Sequence, residues 1–527
     1  MTIGQFTDDL EVLRSAATRK IMGVASRNPA LGLWSLFIVL AIAFLSPILA
    51  SACTIFFAST TNIVLIGNNE DAEDKFPSKM WFVPEGKFGY GRVCFGWYSQ
   101  AQGGMNDRGL FMDWAALPDS APLPKRTGKP PPDGCMAERV LATCVTVEDA
   151  VRLFESIDYV GNPAHFLVVD RNGDSIVGEW FESGLKLVRK KDKQVITNFL
   201  LANPNLGGFP CRRHEAATAM LNTPSNISVT GFSKILKNAS AKWDSGGTKY
   251  SNVYDLGRGE VTLYVERDFE HPFTINLSNE LRRGFREVDL RLLAKNGAHE
   301  LEPRQPKSAA PARVPTATEL IARFDKARGS EPKVEAIRSY RMSGAVEEAW
   351  GDSGQFEFVA APGRRAEKVQ FNKLGTYRNG FDGTNGWQAD SVGTRSIARA
   401  ILDHAKRDAA FFNWTYDPQQ YGSMESLGAA SFDNKDCFAL KLVTKSGIEA
   451  THYFDMKSGL LAGIMTTTAL RSGTTWSRVI FTDYKRFGGV LFPTRIRLND
   501  EGYDITAKVN SVKLNVVADS AFRSPAL

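Results

Sequence analysis

The feature that most constrains this chain is an uncharged apolar run, Leu31 to Ala52, that stops immediately before Cys53. Arg14, Arg19, Lys20 and Arg27 precede it, as in the positive flank of an export signal. Pro47 falls late in the run, and Ala50-Ser51-Ala52 supplies the small residues that a signal peptidase accepts. Cleavage after Ala52 is therefore expected, giving an exported, periplasmic or secreted protein that begins at Cys53. Asp8, Asp9 and Glu11 are unusual in such a signal, and a start at Met22 gives a more ordinary one. Two other readings stay open. A run of about 20 apolar residues can span a membrane uncleaved, which keeps membrane proximity through this segment in play. Cys53 could instead carry lipid, although Ala50 stands three places before it where a bulky aliphatic residue is usual, with Leu49 one place too early.

The remainder has the composition of globular domains, 43% hydrophobic and 23% charged. A formal charge of +6 is small for 527 residues, and the basic residues are scattered, which argues against a nucleic-acid partner. Six cysteines without a CxxC pair make neither a disulfide framework nor a zinc site, and the six dispersed histidines show no ligand spacing. No metal and no cofactor are expected.

Leu301 to Thr318 carries Pro303, Pro306, Pro311 and Pro315 among Ala, Lys and Arg, the composition of an extended linker. The expected organisation is a signal peptide at 1–52, a catalytic domain at 53–300, the linker at 301–318 and a β-rich accessory domain at 319–527. Cys53 to Phe57 and Asn62 to Ile66 read as a hairpin, as do His165 to Val169 and Ser175 to Trp180 around an Asp-Arg-Asn-Gly-Asp turn. Ala137 to Cys144, Val147 to Phe154 and about Arg213 to Leu221 have helical spacing, and Thr146 with Asp149 resembles a capping box. After a helix at Ala317 to Arg328 the pattern is mostly β, with turns at Asn379-Gly380, Asp382-Gly383 and Asn385-Gly386 and one helical interruption near Ser396 to Lys406.

A cysteine at a chain terminus has a neighbour that an internal residue lacks, its own α-amino group. That amine has a reference pKa of about 7.7–8.0, so near neutral pH it can take the thiol proton and return it to a leaving amine. Attack on an amide carbonyl then gives a thioester, which water or a second amine resolves.

Cys53-Thr54, Gly67-Asn68-Asn69-Glu70-Asp71 and Gly104-Met105-Asn106-Asp107-Arg108-Gly109-Leu110 occur in that order, followed by His165 to Glu179, Val195-Ile196-Thr197-Asn198 and Tyr250-Ser251-Asn252-Val253-Tyr254-Asp255. Over roughly Cys53 to Leu293 this series resembles the N-terminal-nucleophile (Ntn) cysteine hydrolases of the choloylglycine hydrolase, acid-amidase and isopenicillin-N acyltransferase group. The resemblance implies an α+β chain whose first domain is a four-layer αββα sandwich. It implies Cys53 as nucleophile and base, Asp71 as the carboxylate orienting its amine, Asn198 as oxyanion donor and Arg213 as support. Asn68 and Trp114 are expected to line the substrate position. Two departures stand out: Asn68 replaces an Arg common in the group, and Ala116 lies near the place of a second oxyanion Asn. The implied activity is cleavage of a linear, non-peptide N-acyl amide of small size, with acyl transfer as the alternative and oligomeric state open.

In the last third, Gly380 to Trp387, Asp455 to Leu460 and Gly488 to Pro493 resemble periplasmic domains of the lipoprotein-carrier type. That resemblance implies a mostly β half-barrel around an apolar groove. It also leaves a non-enzymatic rival, an envelope lipid carrier with lipidated Cys53.

Overall fold

In the computed structural model the chain divides into two compact units, one ending at Glu302 and the other beginning at Pro303. The structure describes residues 53–525 apart from 303–312, most of 398–417 and several shorter stretches. The expected signal at 1–52, most of the linker and much of the helix expected at Ser396 to Lys406 lie outside the described residues.

The first unit is built on two antiparallel sheets. One runs, in hydrogen-bonded order, Lys193–Ile196 (β10), Thr54–Ser59 (β1), Val64–Glu73 (β2), Gly246–Asp255 (β12), Glu260–Val265 (β13) and Phe273–Asn276 (β14), with Lys242–Trp243 (β11) paired to β12. The other runs Arg286–Asp289 (β15), Ser78–Val83 (β3), Arg92–Trp97 (β4), Gln100–Asn106 (β5), Leu110–Ala116 (β6), Ala164–Asp170 (β7), Asp174–Phe181 (β8) and Gly184–Lys191 (β9).

β1 is apolar without alternation because both of its faces are covered. Ile55 and Phe57 join Ile66 in one core with Met80, Phe82, Val93, Phe95, Met105 and Phe111 of the other sheet. Phe56 and Ala58 face the opposite way, against Ala217, Leu221, Phe232, Ile235 and Leu236 of the helices Arg212–Leu221 and Val229–Ala239. On the far side of the second sheet, Glu138 of helix Met136–Thr143 accepts from Trp81 Nε1 at 3.0 Å and Arg92 Nη2 at 3.1 Å. The next helix, Val147–Glu155, begins at a complete Thr146–Asp149 capping box and sets Phe154 edge-on to Trp180.

The second unit is one thirteen-stranded antiparallel sheet, closed in sequence by the pairing of its last strand, Tyr503–Leu514, with its first, Tyr340–Glu348. Helix Ala317–Arg328 opens at a Thr316–Glu319 capping box. One turn apart, its Leu320 and Phe324 bury against Phe438, Leu440, Leu442, Phe454 and Phe481. Among the described residues no helix is long and apolar enough to cross a membrane.

One expected turn is corrected. Asn379-Gly380 lies inside the strand Gly375–Phe381, where Gly380 pairs with Trp387. A β-carbon there would sit 2.5 Å from the Trp387 ring, so the glycine makes room for a cross-strand indole instead of a turn. Gly67 is the same device in β2: it pairs with Phe56, and its β-carbon would stand 2.3 Å from the ring's Cζ. Gly67→Ala is expected to lower stability by about 1–3 kcal/mol through overpacking, read as a lower denaturant midpoint with unchanged slope.

Candidate active site

Cys53 stands at the first residue before β1, 4% exposed, with its neighbours set by the β1–β2 register. Thr54 pairs with Asn69, which brings Glu70 and Asp71 to the level of Cys53. The thiol donates to Glu70 Oε1 at 3.4 Å. Burial pushes it well above its ordinary range; the charges of Glu70 and Asp71 push the same way, and a backbone N–H of Asp71 opposes them. While Cys53 remains joined to Ala52, nothing here makes it a thiolate.

Arg213 fastens this corner. It enters at the start of helix Arg212–Leu221, and its Nη1 donates to the Cys53 carbonyl and the Thr54 hydroxyl, both at 2.8 Å. Its Nη2 donates to Asn198 Oδ1 at 2.9 Å. The Asn198 amide nitrogen in turn donates to the Ala116 carbonyl at 2.7 Å. An amide nitrogen carries two hydrogens, so the second is left for another acceptor.

Asp71 is buried beside the same guanidinium, with Oδ2 4.0 Å from Arg213 Nη1. Its Oδ1 accepts from the Thr248 hydroxyl, whereas Oδ2 accepts no hydrogen bond among the described residues. Burial raises its carboxyl to about 7, against the pull of the Thr248 hydrogen bond and the Arg213 and Arg267 charges. An unpartnered buried carboxylate oxygen wants a cation or a donor.

Asn68 occupies the middle of the inter-sheet face. Its Nδ2 donates across the sandwich to Asp113 Oδ2 of β6 at 2.6 Å and, within its own strand, to Glu70 Oε2 at 3.4 Å. Glu70 and Asp113 are each 1% exposed, and burial raises both carboxyls well above the usual range; the Asp113 charge adds to the effect on Glu70.

Trp114 does not join this group. Successive residues of a strand point to opposite faces, so with Asp113 directed at Asn68, Trp114 packs on the far face against Phe166, ring centroids 6.4 Å apart. Sequence reasoning missed Glu70 and Asp113, which carry no motif of their own. It also passed over His165, whose Nδ1 is 3.0 Å from Glu179 Oε1 and whose Nε2 is 2.6 Å from the Thr197 carbonyl. Glu179 also accepts from the backbone N–H groups of Leu201 and Ala202, at 2.7 and 2.9 Å. This buried bridge holds the segment that presents Asn198, and the signal for it was an apolar hairpin with one ionisable residue in each arm. Among the described residues no cluster of three or more His, Cys, Asp or Glu is placed to hold a metal ion, and none of the six cysteines is in a disulfide.

No family model and no curated protein matches this chain. Solved structures similar to parts of it include penicillin V acylase from Agrobacterium tumefaciens, 22% identical over 45% of this chain and 92% of that one, TM-score 0.38. A variant of conjugated bile acid hydrolase from Clostridium perfringens is 19% identical over 45% and 97%, TM-score 0.40. A LolA superfamily protein from Nitrosomonas europaea is 16% identical over 40% and 98%, TM-score 0.29. Its neighbours thus include amide hydrolases and carrier-like domains. At these TM-scores the likeness decides nothing about this chain, whose site rests on its own contacts.

Two outcomes are expected. Arg213→Ala should cost about 3 kcal/mol, since it leaves a carbonyl, a hydroxyl and an amide oxygen without their donor, and Arg213→Lys should recover only part, lacking the planar fork; chemical unfolding measures both. In the chain with Cys53 still joined to Ala52, Asp71 holds in the folded state a proton that the unfolded state releases near pH 4. Raising the pH from about 4 to about 7 therefore favours unfolding at this group, and the full cost remains above that. The melting temperature of Asp71→Asn relative to the parent should accordingly be more favourable at pH 7.5 than at pH 4.

Proposed function

We propose that the first unit is an αββα Ntn-hydrolase sandwich and an exported cysteine amidase, hydrolysing a linear N-acyl amide through a thioester on an N-terminal Cys53. The observation that carries this reading is the buried Oδ2 of Asp71, which accepts no hydrogen bond among the described residues and lies beside the Arg213 clamp on Cys53. Cutting the Ala52–Cys53 bond creates a new α-amine at that corner, and a buried carboxylate oxygen still open to a hydrogen bond is what an α-ammonium requires.

The chemistry follows from that change. The freed α-amine accepts the Cys53 thiol proton, the thiolate sulfur attacks the amide carbonyl carbon, and the carbonyl oxygen becomes an oxyanion. The spare N–H of Asn198 stabilises that charge, with Asn198 held by Arg213 and Ala116. Collapse breaks the C–N bond, and the α-ammonium gives its proton to the leaving nitrogen. Water, activated by the same amine, then attacks the thioester and releases the acid together with the regenerated thiol. A second amine in place of water would make the enzyme an acyltransferase.

The precursor state is the inert form on this reading, because burial and the surrounding carboxylates hold the thiol protonated. Removal of the segment before Cys53 is then the activating step, and it places the protein in the cell envelope or outside the cell. The second unit would serve as an accessory domain.

Intact-mass measurement of protein recovered from its host should show an unmodified chain beginning at Cys53. Mixing it with N-acyl amides should add the mass of one acyl group at Cys53, and Cys53→Ala should lower turnover by at least about a thousandfold. A lipid adduct, or a retained residue before Cys53 in active protein, would refute the mechanism.

A further inference from the structure

Around Glu70 and Asp113 the inter-sheet face is lined by buried polar atoms that have no hydrogen-bond partner among the described residues. Asn68 supplies its one amide nitrogen to both carboxylates and leaves its own Oδ1, on a residue 1% exposed, without a partner among the described residues. Asn252, paired with Asn68 across β2 and β12, spends its nitrogen on the Tyr254 hydroxyl at 2.8 Å and likewise leaves Oδ1 unpartnered. Tyr250, paired with Glu70 in the same ladder, is fully buried, and its hydroxyl has no hydrogen-bond partner among the described residues. That phenol feels the charges of Glu70, Asp113 and Cys53, which locates it in the same group.

The surrounding wall is aromatic. Phe95 lies 5.7 Å from Tyr250 and 6.1 Å from Tyr254, and Phe111 lies 4.9 Å from Tyr254, centroid to centroid. Gly103 lets the Asp113 carboxylate come close, since a β-carbon there would stand 2.3 Å from it. Two orphaned amide oxygens, two carboxyls and a wall of π-faces together suit an organic cation bearing N–H donors. An anionic or purely apolar group would leave the acceptors orphaned and add to the repulsion.

The side of the scissile bond follows from strand geometry. Glu70 and Asp71 are successive residues of β2 and point to opposite faces. On the reading proposed above, the α-amine that protonates the leaving nitrogen is held at Asp71. The Cys53 sulfur, which carries the acyl group in the thioester, lies 3.4 Å from Glu70, so the acyl group extends over the inter-sheet face, toward Glu70 and Asp113.

We infer that the acyl part of the substrate carries a primary ammonium or guanidinium group, received by Glu70, Asp113, Asn68 and Tyr250 between the two sheets. This rests on the amidase reading for the position of the scissile bond but not for the existence of the cation site. The cation replaces the proton that the carboxylate pair otherwise retains, so that acceptors, charge and hydrogen count are satisfied together.

The test uses the full mature chain beginning at Cys53. Binding of 6-aminohexanamide and of hexanamide is compared by calorimetry on Cys53→Ala, and turnover of 6-aminohexanoyl-, hexanoyl- and adipoyl-p-nitroanilide is compared on the parent. The ammonium-bearing member of each set is expected to be favoured by at least about tenfold, the worth of one charge-assisted hydrogen bond. Glu70→Gln and Asp113→Asn should each bring the two ratios toward one, with folding checked by circular dichroism. Equal binding of the two amides, or preference for the adipoyl compound, would overturn the cation site. Preference for a cation placed on the amine side instead would overturn its assignment to the acyl group. Cation-selective binding without thioester formation on any substrate would leave the site standing and remove the amidase reading.

Discussion

The corner around Cys53 depends on one guanidinium. Arg213 comes from a helix that packs outside the first sheet, yet its two terminal nitrogens reach the carbonyl of Cys53, the hydroxyl of Thr54 and the amide oxygen of Asn198. A planar fork serves three acceptors from two elements through two separate nitrogens, whereas a lysine has all three donors on one nitrogen and no fixed plane to span them. The Arg213 charge, together with that of Arg267, also acts on Asp71 against the effect of burial. The start of β1, the end of β10 and the carboxylate of β2 therefore form one electrostatic unit, and the thiol inherits its position from it.

The interior facing that corner is unusual for a protein core. Two carboxyls, two amides and two phenols lie between the sheets where close-packed apolar side chains would ordinarily be, and the amide of Asn68 bridges the sheets at a single point. Buried polar groups without partners cost free energy, so a core that retains several of them is organised for something other than stability. Burial holds the Glu70 and Asp113 carboxyls well above the usual range, which favours their uncharged forms and tempers that cost.

The C-terminal unit follows ordinary sheet logic. Its thirteen strands form two antiparallel meanders joined where the first strand pairs with the last, and helix Ala317–Arg328 lays its apolar stripe on the sheet. Gly380 beneath Trp387, like Gly67 beneath Phe56, shows how a glycine read as a turn residue can be the floor for an aromatic ring. Local sequence offers both meanings, because permissive backbone and absent β-carbon are the same residue.

Much of the local structure was legible in the residues themselves. Hairpins, helices and capping boxes depend on neighbours within a few positions, so the Thr146–Asp149 cap, the helix Ala317–Arg328 and the β1–β2 and β7–β8 hairpins could be read directly. The order of short motifs pointed to Cys53, Asp71, Asn198 and Arg213 as a set. Which face each side chain takes was decided only by tertiary pairing. Strand parity turned Trp114 away and brought Asp113 to Asn68, 45 positions apart, while register placed Tyr250 opposite Glu70. The acidity of such groups depends on desolvation and on charges contributed by distant strands, and neither quantity exists until the sheets have closed over them.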